Sequence, residues 1–167
     1  MPYSYTLYKE EVKQHFLDNL QRDIRILDVG PGCGTYSHLL KEHFPNIDAI
    51  EIFENYIHQF DLKSKYNKVI LGNVMDFGDI SNYDYIILGD VLEHLSISDA
   101  IGLMNIIRYF DILCLVAVPY NYEQGTYMDN VYETHLQPDL THEIVLQRYP
   151  RLKLLIGDDK YGYYINY

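Results

Sequence analysis

Three glycines at alternating positions, Gly30, Gly32 and Gly34, directly follow an apolar run that carries Asp28. Glycine there lets a ligand approach the backbone closely and allows positive φ where a side chain would clash. The G-x-G-x-G spacing is neither the G-x-G-x-x-G dinucleotide fingerprint nor a phosphate loop ending in G-K-[ST]. No lysine follows, so a triphosphate is only weakly supported. Downstream, Asp90, Glu93 and His94 stand as Asp-x-x-Glu-His. Two carboxylates and an imidazole one turn apart could bind a metal, given a further ligand. The plainer alternative is that Glu93 caps a helix and His94 packs beside a bound ligand. Asn130, Glu133 and His135 then gather in a polar stretch. Imidazoles titrating near about pH 6.5 suit deprotonation of an acceptor near neutrality, which makes His135 the first candidate base and His94 the second. A lone loop histidine is more often solvated than catalytic; Glu133 and Asn130 beside His135 strengthen the catalytic alternative.

These residues need elements to hold them. In residues 7–20, Val12, Phe16 and Leu20 recur at helical spacing on one face. Residues 24–29 read as a buried strand, followed by the glycines and a helix over 35–44 that Pro45 ends. A strand at 47–52, a helix at 54–62, a strand at 68–71 and a loop at 72–79 come next. Residues 85–88 form a continuous apolar strand, residues 98–110 a helix with Ser98 as a plausible N-cap, and residues 112–118 the most apolar strand, stopped by Pro119. This alternation with fully apolar strands predicts an α/β fold, a parallel sheet covered by helices on both faces. In such sheets ligands sit at the carboxyl ends of the strands, near the switch point. Residues 119–139 lack a period, and an aperiodic loop of that length is usually functional or disordered. Residues 140–148 look helical, and the runs 152–156 and 161–166 flank a turn, so the sheet is expected to finish with an antiparallel hairpin.

With 167 residues, the chain is expected to form one domain, 1–167, with an N-terminal helical segment over 1–22. The balance of 13 Lys+Arg against 24 Asp+Glu gives a net charge of −11. That disfavours nucleic acid, whose phosphates need clustered basic residues, and welcomes a small cationic ligand. Cys33 and Cys114 show no metal-type spacing and suggest no disulfide framework. No apolar run approaches membrane-spanning length and the start does not read as a signal peptide, so a cytoplasmic protein without a membrane partner is expected. The 18 tyrosines, with no tryptophan, read as a compositional bias.

Residues 26–40, ILDVGPGCGTYSHLL, resemble the first motif of class I S-adenosylmethionine-dependent methyltransferases, and the later motifs follow in order along most of the chain. The resemblance implies a Rossmann-like, doubly wound sheet of about seven strands, with S-adenosyl-L-methionine as cofactor. It implies cofactor contacts at Asp28, Gly30, Gly32 and Gly34, with Glu51 accepting hydrogen bonds from both ribose hydroxyls. An acceptor-only carboxylate suits that task. Residues 72–78, GNVMDFG, resemble the adenine loop, with Asn73 where an aspartate is usual, Val74 against the base and Asp76 as the alternative partner of the amine. Residues 83–95 resemble the fourth motif with its Leu-Glu-His ending, which places Gly89 and Asp90 beside the methionine part.

In a subset of the family, acting on quinone precursors or RNA 3′ ends, Glu-x-x-Glu-His binds a divalent metal; here Asp90 takes the first position, and no metal is assigned. The loop holding Gln124, Gly125, Asn130, Glu133 and His135 resembles methyltransferases associated with surface-polysaccharide genes, although Leu136, Gln137 and Pro138 stand where a tryptophan often follows. The expectation is therefore methyl transfer to a hydroxyl of a sugar or other small molecule, with His135, His94 and Glu133 catalytic. The acceptor pocket must come from the N-terminal helix, the 119–139 loop or a second subunit, which would make a homodimer. The rivals are a metal-dependent RNA 3′-end methyltransferase using Asp90, Glu93, His94 and His135, a non-catalytic cofactor-binding module, and an NAD-dependent dehydrogenase. The glycine spacing speaks against the last.

Overall fold

A computed structural model describes residues 3–167. Seven strands form one sheet: β1 (Ile26–Val29), β2 (Ile47–Glu51), β3 (Val69–Leu71), β4 (Tyr85–Gly89), β5 (Leu113–Pro119), β6 (Lys153–Gly157) and β7 (Tyr161–Ile165). Their order is β3-β2-β1-β4-β5-β7-β6. β1 to β5 pair in parallel, and β7 runs antiparallel to both β5 and β6. The expected doubly wound sheet with a closing hairpin is present. Strand order reverses between β1 and β4, which opens a crevice at their carboxyl ends.

The strands alternate between two faces, and both are covered. Leu27, Val29, Ile86, Leu88, Val116 and Val118 pack into one core, beneath α5 (Ile97–Tyr109) and α6 (His142–Arg148). Ile26, Tyr85, Ile87, Leu115 and Ala117 pack into the other, with α1 (Lys9–Asn19), α2 (Thr35–Leu40), α3 (Glu54–Gln59) and the single turn α4 (Leu62–Lys65). Val12 and Phe16 are fully buried from α1, as their spacing requires, while Leu20 is only partly buried.

Several boundaries differ from those read in the sequence. The first turn of the N-terminal helix lies at Lys9, so residues 3–8 are not helical, and residues 1–2 lie outside the described residues. The helix read over 54–62 is broken at Asp61, which has a left-handed backbone (φ 47°) and splits it into α3 and α4. α2 gives way to turns after Leu40. Ser96, not Ser98, caps α5: its Oγ accepts the Asp99 N–H at 3.1 Å, and its hydroxyl donates to the Asp99 carboxylate at 2.7 Å. Among the described residues no helix is long and apolar enough to cross a membrane.

Candidate functional site

A cleft of about 840 Å³, counted to its open mouth, sits over the carboxyl ends of β1, β2 and β4. Gly30, Pro31 and Gly32 form one side, Glu51 and Ile52 another, and Asn73 and Val74 close the end near β3. Asp90, His94, Asn130, Tyr132 and Glu133 form the opposite end, and Ser4 reaches in from the N-terminal segment.

The glycine loop is built as its composition requires. Gly30, Gly32 and Gly34 all have positive φ (59°, 52° and 85°), a region costly for a side chain. Gly34 stands outside the cleft lining, as the N-cap of α2, and a Cβ there would meet Lys65 Cδ at 2.8 Å. Asp28 also stays out of the cleft. It lies beneath the loop, 1% exposed, accepting a 2.5 Å hydrogen bond from Tyr66. Burial lifts its carboxyl to about 7, against the pull of the Tyr66 hydroxyl and the Lys9 ammonium.

Glu51 ends β2, is 3% exposed and faces the cleft. Its Oε1 accepts the Phe53 N–H at 2.8 Å. Burial raises its carboxyl to about 7, opposed by the N–H groups of Phe53 and Ile52. Asn73 and Val74 both line the far end. The Asn73 side chain accepts the Met75 N–H at 3.0 Å and so shapes the short 3₁₀ turn Val74–Asp76. Asp76 is exposed and does not line the cleft.

Gly89 is dictated by Tyr36: a Cβ at 89 would lie 2.2 Å from the Tyr36 ring. The next residue, Asp90, has a left-handed backbone (φ 58°), and its Oδ1 accepts the Tyr161 hydroxyl at 2.6 Å. Among the described residues, its Oδ2 is buried and makes no hydrogen bond. Burial raises the Asp90 carboxyl, opposed by the Tyr161 hydroxyl, the Lys9 ammonium and the Ser4 hydroxyl.

Beyond Asp90, a 3₁₀ turn (Leu92–His94) carries the acceptor-side residues. Glu93 is 1% exposed, and among the described residues neither carboxylate oxygen has a hydrogen-bond partner. Burial, then the neighbouring Asp90, push its carboxyl well up. His94 lines the cleft, whereas His135 stands behind it, with the rings edge-on and 4.7 Å apart. His94 Nδ1 lies 3.2 Å from the Thr134 carbonyl, and His135 Nδ1 lies 2.7 Å from the Tyr122 carbonyl. A carbonyl only accepts, so each Nδ1 carries its proton and each Nε2 keeps a lone pair in the neutral ring. Burial and the adjacent His135 lower His94 to about 4, and burial also lowers His135. Ligand atoms of Glu93, His94 and His135 lie within 4.8 Å of one another, a grouping that leaves out Asp90.

The 119–139 segment is held in place rather than loose. Its backbone N–H groups at Leu136 and Gln137 donate to the Glu93 carbonyl, at 2.8 and 3.0 Å. Glu133 accepts the Tyr56 hydroxyl at 2.9 Å and the Gln124 amide at 3.1 Å. The Asn130 side chain accepts the Tyr132 N–H and so caps the turn Val131–Glu133. Buried Gln137 donates to the Leu92 and Leu95 carbonyls and accepts from Arg148 and Tyr149. Tyr56, Gln137, Tyr161 and Ser4 were not singled out from sequence. Their partners lie far along the chain, and no local spacing marks them.

The sequence matches a family described as a methyltransferase domain over residues 4–109, more than half of the chain. No curated protein matches it significantly. Among solved structures, an S-adenosylmethionine-dependent methyltransferase from Clostridium acetobutylicum superposes with a TM-score of 0.69 at 11% identity, covering 95% of this chain and 89% of that one. The N-terminal domain of EvdMO1, solved with S-adenosylhomocysteine (SAH) bound, gives 0.64 at 11% identity, with coverage of 96% and 80%. The sugar N-methyltransferase KedS8 from a Streptoalloteichus species gives 0.55 at 17% identity, with coverage of 72% and 50%. On the family match, and with the fold of S-adenosylmethionine-dependent methyltransferases around its cleft, the chain belongs to the methyltransferase-domain family.

Proposed function

We propose that the protein transfers the methyl group of S-adenosyl-L-methionine to a hydroxyl of a sugar or other small molecule. The observation that carries this reading is one cleft at the switch point, lined both by a buried carboxylate, Glu51, and by an imidazole, His94, whose Nδ1 is held on the Thr134 carbonyl. When bound, S-adenosylmethionine supplies an electrophilic methyl on a cationic sulfonium, so the protein's work is alignment more than activation. Gly30 and Gly32 offer their backbone to the amino-acid tail, Glu51 accepts the ribose hydroxyls, and Asn73 and Val74 flank the base. Asp90 presents its buried carboxyl beside the sulfonium, whose positive charge would favour the ionised form. His94, with an Nε2 lone pair at neutral pH, takes the acceptor's proton, and His135 and Glu133 fix its surroundings. The placement of His94 in the lining moves it ahead of His135 as the group that touches the acceptor.

A sugar acceptor is supported by the pattern Gln124, Gly125, Asn130, Glu133 and His135, and by KedS8, which shares the fold and acts on a sugar. The test is transfer from labelled donor to a panel of glycans and small hydroxylated acceptors. His94→Ala is expected to lower turnover by roughly 10²–10⁴-fold, the usual worth of a positioned base, with SAH affinity within about twofold of wild type. His135→Ala is expected to lower turnover less. Methylation of RNA ends with no transfer to glycans would reverse the assignment.

A second reading rests on the cluster of Glu93, His94 and His135. Two imidazoles oriented by backbone carbonyls and a buried carboxylate that makes no hydrogen bond among the described residues suit a divalent transition metal. These three residues would hold the ion, which would supply Lewis acidity to the acceptor oxygen. Activity lost on chelation and restored by added metal would favour this reading and reopen the RNA 3′-end alternative, against which the −11 charge stands.

A further inference from the structure

The tyrosines that looked like compositional bias in the sequence converge where the N-terminal segment crosses the cleft. Tyr5 lies flat on Tyr161 of β7, with ring centroids 4.7 Å apart and 16° between the planes. The hydroxyls of Tyr5 and Tyr8 both donate to Asp158 Oδ2, at 3.0 and 3.3 Å. Asp158 is itself fixed in the β6–β7 turn, its Oδ1 accepting the N–H groups of Lys160 and Tyr161. From β7 the Tyr163 hydroxyl donates to the carbonyl of Leu7 at 3.0 Å. On the other side of the cleft, Tyr3 meets Phe60, just after α3, edge-on at 6.0 Å. Between these two moorings Ser4 lines the cleft. Residues 3–8 thus run between the sheet's last hairpin and Phe60, just after the helix that follows Glu51, with Ser4 in the cleft lining.

Tyr161 stands at the junction. One face of its ring carries Tyr5, while its hydroxyl holds Asp90 Oδ1; the buried Oδ2 makes no hydrogen bond among the described residues. We propose that residues 3–8 are a strap that closes the cofactor cleft, and that Tyr161 is the positioning residue that ties strap to site. Its ring seats Tyr5 and its hydroxyl aims Asp90. The inference rests on the reading of the cleft as the S-adenosylmethionine site. A strap of one ring pair and a few hydrogen bonds is strong enough to favour the closed state and weak enough to open during each cycle. The donor would be admitted, and its spent product released, as the strap lifts.

The experiment follows SAH association and dissociation by stopped flow, with hydrogen exchange over residues 3–8 measured with and without SAH. Tyr5→Ala should speed both rates by about 3–10-fold, the weight of one aromatic pair, and abolish protection of the strap by SAH. Tyr5→Phe, which keeps the stack but loses the hydrogen bond to Asp158, should fall between wild type and Tyr5→Ala. Tyr161→Phe should keep the strap protected while weakening SAH binding several-fold, because only the hydroxyl on Asp90 is lost. If Tyr5→Ala changes melting temperature but neither rate, the segment is only structural and the strap is refuted. If Tyr161→Phe binds SAH as wild type does, Tyr161 does not position Asp90. If the wild-type protein binds no SAH at all, the cofactor reading fails and takes the strap with it.

Discussion

Glu51 faces the cleft from a buried position, with one oxygen already accepting a backbone N–H and its carboxyl lifted to about 7. A carboxylate that accepts hydroxyl donors must be ionised, so SAH affinity is expected to fall as pH drops from 8 to 6, and titration calorimetry across that range would show it. Glu51→Ala should weaken SAH binding by roughly 2–4 kcal/mol; unchanged affinity would remove Glu51 from the ribose site. Asp28 makes the opposite kind of prediction, one of stability. Its folded value of about 7 lies above the unfolded value of about 3.9. The folded state therefore favours the protonated form, and this contribution is whole below pH 4 and lost as pH rises through 7. The stability of Asp28→Asn relative to wild type should accordingly rise with pH between 4 and 7, by about 1 kcal/mol per unit. Urea melts at pH 5 and 8 would check it; an identical gap at both would contradict it. The places of Gly30, Gly32 and Glu51 at the cleft are legible in the sequence because each lies at or just past the end of an apolar strand, whereas Gly34 lies outside the lining. That Asp28 serves the fold beneath the loop is not legible there, since its partner Tyr66 comes from α4's far end and no local pattern joins them.

At the level of elements, strands were read more accurately than helix ends. A buried strand announces itself by unbroken apolar residues, whereas a helix end depends on one side chain finding one N–H. Ser96 and Ser98 both precede the apolar run of α5, and only geometry shows that Ser96 meets Asp99. Ser96→Ala should cost about 1 kcal/mol, visible as a lower melting temperature, and Ser98→Ala much less. The 119–139 segment had no period to read because its order comes from distant groups. Gln137 alone joins the Leu92–Leu95 turn to Arg148 and Tyr149. Gln137→Ala should therefore destabilise by roughly 2–3 kcal/mol, since it leaves buried polar groups unpaired. It should also lower turnover through His94 and His135, with SAH affinity nearly kept. Melts, calorimetry and rates on one preparation would separate these effects.

Across the whole molecule, the fold brings residues from six separate stretches of chain to one crevice, and the last reversed strand adds Tyr161 beneath it. Parallel alternation made that crevice predictable from sequence, and the strand register made its contents specific. The net charge of −11 fits a site that receives a cationic sulfonium and releases a product without that charge. It fits a polyanionic acceptor poorly. The central claim is that the crevice between β1 and β4 holds S-adenosylmethionine. A crystal structure of the protein soaked with SAH tests it most directly. The expected result is the ribose hydroxyls on Glu51, the adenine against Asn73 and Val74, and the sulfur turned toward Asp90 and His94. A cleft filled by NAD, or SAH seated anywhere else on the protein, would contradict it.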